Sequence, residues 1–259
     1  MSTTNGGFDG KVALITGGAG GFGAAAARRL AGLGASVVVA DVDTAVGERV
    51  AQEAGGVFVR CDVSDPAESE AAVAAAVERF GGLDIAFLNA GVATGCGLDD
   101  DFDLERYRIA MGVNLDGVVF GMHAAIPALR ARGGGDIVAT ASLAGLGPVP
   151  FDPIYGANKH AVVGLVRAAA PIYADRRIRI NAVCPGFADT RILGGWREYL
   201  AGSDVTLLRP DDVADALVAV LSADGTGECW FVQPGREPAP YAFRGVPGPR
   251  PVASETGPG

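Results

Sequence analysis

The sequence predicts a doubly wound α/β sandwich, three layers deep, around a seven-stranded parallel sheet. Three observations carry this. Seven short runs rich in β-branched and apolar residues recur along the 259 residues, and longer alanine-rich stretches separate them. The runs are continuously apolar instead of alternating, which is how strands read when a sheet is covered on both faces. An apolar content of 49% is ample for one such core, so residues 1–245 are expected to form one domain.

The first run, 12–15, leads into TGGAGGFG (16–23) and a helix over 21–33. Gly17, Gly21, Phe22 and Gly23 are therefore candidate ligand contacts. Glycines let a backbone turn sharply and approach a pyrophosphate, and the helix N-terminus offers it free N–H groups and a positive dipole end. The missing GK[ST] argues against a P-loop and leaves the dinucleotide reading, a Rossmann-type unit. The second run, 36–40, ends at Asp41, whose carboxylate can accept hydrogen bonds from the adenosine ribose hydroxyls. A 2′-phosphate about 5 Å from that carboxylate would be repelled by roughly 2 to 7 kcal/mol at effective dielectrics between about 80 and 20. No Lys or Arg lies within 17–23 to offset this, so the expected cofactor is NAD and not NADP.

Further strand-like runs follow at 56–60, 84–88, 136–140, 179–183 and 228–233, and helix-like segments at 44–54, 66–80, 104–130 and 153–174. Asp152-Pro153 reads as an N-cap and first helical residue, which places Tyr155 in the first turn. Pro171 removes an internal hydrogen bond, so a kink or early end is expected there. Beyond Gln233 the chain is rich in Pro and Gly without period, and 246–259 is expected to be a flexible tail.

Tyr155 and Lys159 fall four apart, on one helical face with Cβ atoms about 5 to 6 Å apart. Together with TGGAGGFG, CDV (61–63), NAG (89–91), VNLDG around Asn114, Ser142, YGANK (155–159) and PGFADT (185–190), this pair resembles the short-chain dehydrogenase/reductase family over roughly residues 11–233. The resemblance implies a catalytic tetrad of Asn114, Ser142, Tyr155 and Lys159. It also implies that Asp62 and Val63 flank the adenine and that Asn89, Ala90 and Gly91 lie beneath the cofactor. Pro185, Gly186 and Thr190 would then lie along the nicotinamide.

The implied reaction is hydride transfer between a secondary alcohol and NAD, with Tyr155 as general base or acid, Ser142 on the same oxygen and Asn114 in a proton relay. A tyrosine titrates near ~10, and a phenolate usable at neutral pH needs a shift of roughly 3 units, which an ammonium about 4 Å away could supply. Lys159 is expected in that role. The non-catalytic alternative is a sensor of the NADH/NAD ratio with the same fold.

The sequence departs from the family at Ala188, where a branched residue is usual, so a wider pocket is expected. The pocket walls, 93–97, 144–152 and 187–200, are mainly small or apolar, with Phe151, Phe187 and Trp196 as large surfaces. They suit an uncharged, moderately apolar alcohol or ketone, although Arg191 and Arg197 could instead meet a carboxylate. The tail could also line a neighbouring subunit's pocket, since family members commonly form tetramers or dimers through the helices 104–130 and 153–174.

A formal charge of −9 disfavours nucleic acid and anionic membranes as partners. No secretory signal or membrane span is read. Four scattered cysteines suit a reducing cytoplasm, and two histidines with them make no metal-ligand set. His160 would point about 100° around the helix from Lys159, away from the reactive face.

Overall fold

A computed structural model describes residues 7–150, 152–193 and 205–245. Phe151, Trp196, Arg197 and the 246–259 tail lie outside the described residues. The chain begins β1 (Val12–Thr16), α1 (Gly21–Gly32), β2 (Ser36–Asp41), α2 (Thr44–Glu53), β3 (Val57–Arg60), α3 (Pro66–Phe80) and β4 (Ile85–Leu88). It continues with α4 (Leu104–Met111), a π-helical turn (Gly112–Asp116), α5 (Gly117–Arg132), β5 (Gly135–Thr140), α6 (Pro153–Tyr173) and β6 (Ile178–Pro185). Helix α7 (Pro210–Ser222) and strands β7 (Cys229–Val232) and β8 (Ala239–Pro240) complete it.

The sheet runs in the order β3-β2-β1-β4-β5-β6-β7-β8, and β1 to β7 are parallel, as expected. The eighth strand is a correction. Past Gln233, where no strand period is legible, Ala239 and Pro240 pair antiparallel with Phe231 and Trp230. Two residues at a sheet edge leave no periodic signal, and Pro is tolerated at such an edge.

Successive strand residues feed opposite layers. Val12, Leu14, Ala86, Leu88, Ile137 and Ala139 face α3, α5 and α6, whereas Ala13, Ile15, Ile85, Phe87 and Val138 face α1, α2 and α7. That division explains why the runs read as continuously apolar: each alternate residue has its own core to enter. Helix α7 was not among the expected segments, yet RPDDVADALVAVLS carries Pro in its first turn, two acids there and buried Val213, Leu217 and Val220 on one stripe.

Asp152 caps α6 as expected, accepting the Tyr155 N–H at 2.9 Å with Pro153 at the first helical position. Helix α6 passes through Pro171 and ends at Tyr173, where a 3₁₀ turn follows. The segment expected as one helix over 104–130 runs continuously from α4 through a π-helical turn that contains Asn114 into α5. By length and composition the span Leu104–Arg132 could cross a bilayer, contrary to the reading of no such span. Its contacts with α3, β4 and β5 make it a layer of the sandwich.

Ion pairs gather at the N-terminal edge of the sheet. Buried Asp84 accepts the Val12 N–H at 3.0 Å and meets Lys11 at 3.2 Å and Arg132 at 3.3 Å, while Arg179 meets Asp136 at 2.7 Å. At the opposite edge the glycine loop folds back against α1. Gly17 has φ +62°, and a Cβ there would stand 2.8 Å from the Ala90 Cα. A Cβ at Gly23 would collide with the Gly17 carbonyl oxygen, so the first turn of α1 rests directly on the loop. Gly23→Ala is expected to destabilise the fold by about 1 to 3 kcal/mol through overpacking. A urea midpoint unchanged from wild type would contradict this.

Candidate active site

The C-terminal ends of β1, β2, β4, β5 and β6 open into one elongated cleft with a cavity volume of about 500 Å³. It straddles β1 and β4, where the strand order reverses, the crevice in which doubly wound sheets take their ligands. Thirteen of the residues singled out from sequence line it: Gly17, Gly21, Phe22, Asp41, Asn89, Ala90, Gly91, Ser142, Tyr155, Lys159, Pro185, Gly186 and Thr190.

One end is built to receive an anion. Helices α2, α3, α4 and α6 each begin with an aspartate whose side chain accepts a first-turn N–H, but α1 begins at Gly20 with no side-chain cap. A Cβ at Gly20 would meet nothing within 4 Å, and one at Gly21 only Thr190, at 3.4 Å. The first turn of α1 thus presents N–H groups to open space that a diphosphate fits. Asp41 stands beside this loop, holding it by accepting the Ala19 N–H at 2.9 Å, and its other oxygen accepts the Asp43 N–H at 3.0 Å. Each oxygen keeps further acceptor capacity for ribose hydroxyls.

The other end carries the titratable groups. Lys159 is 2% exposed and donates to the Thr140 carbonyl at 2.8 Å, with its Nζ 5.6 Å from the centre of the Tyr155 ring. Burial lowers the Lys159 pKa to about 8. Burial also pushes the Tyr155 phenol up to about 12, the Ser142 hydrogen bond pulling it down and the charge of Asp152 adding to the rise. Without the positive charge of oxidised nicotinamide, which was expected to act together with Lys159, desolvation dominates at the phenol. Ser142 Oγ donates to the Pro185 carbonyl at 3.3 Å and accepts the Ala144 N–H at 3.1 Å, which fixes it at the end of β5.

Four singled-out residues lie off the cleft. Gly23 packs beneath the loop. Asp62 accepts from the backbone and hydroxyl of Ser64 at 3.0 and 2.7 Å and so shapes the turn before α3. Val63 is buried against Gly117. Asn114 is fully buried, its Oδ1 accepting the Val92 N–H at 2.8 Å and its Nδ2 donating to the Val92 carbonyl at 2.9 Å. Its side chain holds the loop after β4, yet a Cβ on Gly91 would lie 3.3 Å from Asn114 Oδ1 and 3.7 Å from Lys159 Nζ. The two side chains thus both stand close to Gly91.

Two contributors were missed. Thr16 Oγ1 accepts the N–H groups of Asn89 and Ala90 at 2.9 and 3.2 Å, and Thr140 offers its carbonyl to Lys159 and its hydroxyl to Asn89. Both stand at strand ends, the one signal that could have found them. Ala188 is small where Leu208 crosses beside it, the two linked by Asp189 N–H to Leu208 O at 3.0 Å and Leu208 N–H to Phe187 O at 2.8 Å. His160 bonds the Gly156 carbonyl at 2.8 Å and is not on the cleft. Among the described residues no group of His, Cys, Asp and Glu could hold a metal ion.

Comparison with known proteins supplies the context. The chain is 38% identical over 231 residues to the cyclohexanol dehydrogenase of Acinetobacter sp. (strain SE19), covering 85% of this chain and 90% of that one. It is 38% identical over 237 residues to a 2,5-dichloro-2,5-cyclohexadiene-1,4-diol dehydrogenase of Sphingobium indicum, covering 86% and 95%. In structure it is similar to a 3-ketoacyl-(acyl-carrier-protein) reductase from Brucella melitensis complexed with NADH, with a TM-score of 0.81 and 35% identity over 88% of this chain and 99% of that one. The family model described as short chain dehydrogenase matches residues 11–200. The chain belongs to the short chain dehydrogenase family.

Proposed function

We propose that this protein interconverts a small secondary alcohol and its ketone with NAD as the hydride carrier. The observation that carries the reading is that Tyr155, Ser142 and Lys159 share one cleft with Asp41 and the uncapped first turn of α1. The relatives that act on cyclohexanol and a cyclohexadienediol support a cyclic, moderately apolar substrate. The apolar wall of Leu143, Val149, Phe187 and Leu193 suits it.

The first turn of α1 would hold the cofactor's diphosphate, Asp41 its adenosine ribose, Lys159 its nicotinamide ribose, and Pro185, Gly186 and Thr190 its ring. Asp41 favours NAD over NADP by the charge argument above. When bound, the nicotinamide supplies the hydride acceptor or donor and, oxidised, a positive charge beside the phenol. Tyr155 Oη takes the hydroxyl proton in oxidation and returns it in reduction, while Ser142 Oγ holds the same oxygen. Lys159, still protonated at neutral pH with a pKa of about 8, biases Tyr155 toward the phenolate. Lys159 and Asn114, both beside Gly91, would lie along the route by which that proton leaves. The three groups together favour turnover over a bare sensor, which has no need of Tyr155 and Lys159 together with Ser142.

We further read residues through Gly245 as one domain of a homo-oligomer. A second cavity between α4 and α6, lined by Tyr107, Met111, Ile154 and Ala157 beside exposed Leu98, supports helix pairing between copies. The cytoplasmic reading rests on four cysteines that are all buried and free.

Tyr155→Phe is expected to lower kcat at least about 100-fold while the NADH dissociation constant, read by fluorescence titration, changes little. Near wild-type turnover would refute the assignment. Asp41→Asn should move the ratio of kcat/KM for NAD over NADP at least about tenfold toward NADP, in line with a repulsion of at least about 2 kcal/mol. An unchanged ratio would remove Asp41 from cofactor choice.

Lys159 also has a stability signature. Its folded pKa, about 8, lies below its ordinary 10.5, so the unfolded chain holds the extra proton between those values and stability rises with pH there. Tyr155 acts in the opposite sense only above pH 10. Without cofactor, Lys159→Met should therefore be more stable than wild type near pH 7, on the order of 2 kcal/mol. That advantage should shrink as pH rises from 8 to 10. A pH-independent difference in denaturant unfolding would contradict it.

A further inference from the structure

Asp152 does more than cap α6. Its Oδ1 accepts the Tyr155 N–H at 2.9 Å and its Oδ2 the Thr94 N–H at 3.3 Å, which leaves acceptor positions open on both oxygens. The residue is only 9% exposed, it lines the cleft, and its charge reaches the Tyr155 phenol. No Lys, Arg or His pairs with it among the described residues. Next to it the Thr94 hydroxyl is buried without a hydrogen-bond partner. A buried carboxylate without a cation, on a cleft wall that also carries Leu143, Ala144 and Val149, is costly unless a ligand completes it.

We propose that Asp152 recognises a second hydroxyl on the substrate, so that the protein selects diols over simple alcohols; this rests on the alcohol dehydrogenase reading above. A hydroxyl donates to the carboxylate and brings no charge into the cleft. An ammonium would sit near the Lys159 charge. A simple alcohol would displace water from Asp152 and return no donor, which is the condition under which a polar pocket rejects an analogue.

The test compares cyclohexanol with the 1,2-, 1,3- and 1,4-cyclohexanediols and with 4-aminocyclohexanol, in wild type, Asp152→Ser and Asp152→Asn. Both replacements are good N-caps, so the helix that carries Tyr155 keeps its first turn. Taking the ratio of kcat/KM for diol over cyclohexanol within each protein cancels any general loss of rate. For at least one diol the wild-type ratio should exceed tenfold, and it should fall at least fivefold in whichever variant folds.

A wild-type ratio near one, or a high ratio unchanged by substitution, overturns the role of Asp152 while leaving the dehydrogenase reading intact. A preference for the amino alcohol that vanishes on substitution overturns the hydroxyl in favour of an ammonium. Absence of turnover on every compound with NAD and NADP overturns the dehydrogenase reading and this inference with it.

Discussion

One side chain joins the two halves of the cleft. Asn89 Nδ2 donates to the carbonyls of Thr16 and Gly17, and its Oδ1 accepts the Thr140 hydroxyl at 3.0 Å. Thr140 in turn gives its carbonyl to Lys159. The glycine loop and the buried ammonium are thereby held by one chain of hydrogen bonds that crosses β1, β4 and β5 at the switch point. Because Gly17 sits in the left-handed region, which glycine enters about as readily as the right-handed one, the loop has little preference of its own for this shape. The amide of Asn89 supplies that preference, and α1 is seated on the result.

The arrangement sets stability against chemistry. Lys159 is buried with the Thr140 carbonyl as its partner, and its lowered pKa records the cost of that burial. The same burial keeps the Tyr155 phenol protonated in the bare chain. Burial thus outweighs the nearby Lys159 charge in setting the protonation of the phenol.

Much of this was legible in the sequence because the signals were local. Asp152-Pro153 and the helix Pro66–Phe80 stand where cap and proline chemistry put them. The strands were legible because burial on both faces writes an unbroken apolar run. What was not legible depends on distant partners. The π-helical turn at Asn114 has no period that separates it from ordinary helix, and the consumption of both Asn114 amide atoms by Val92 needs the loop after β4 in place. Thr16 and Thr140 matter through a backbone carbonyl or a single hydroxyl, which residue identity alone does not reveal. The burial that raises the Tyr155 pKa was not legible, because a charge four residues away is visible in a sequence and the depth of burial is not.

The ion pairs of Asp84 and Asp136 sit at the N-terminal edge of the strands, whereas every residue of the cleft belongs to the opposite edge. The molecule is polar in an evolutionary sense, with one rim that secures the sheet and another that displays replaceable loops. Variation at 143–149 or 187–193 can explore new substrates without loosening the charge cluster some strand-length away. Such a division lets one scaffold be reused for many alcohols while its foundation stays fixed.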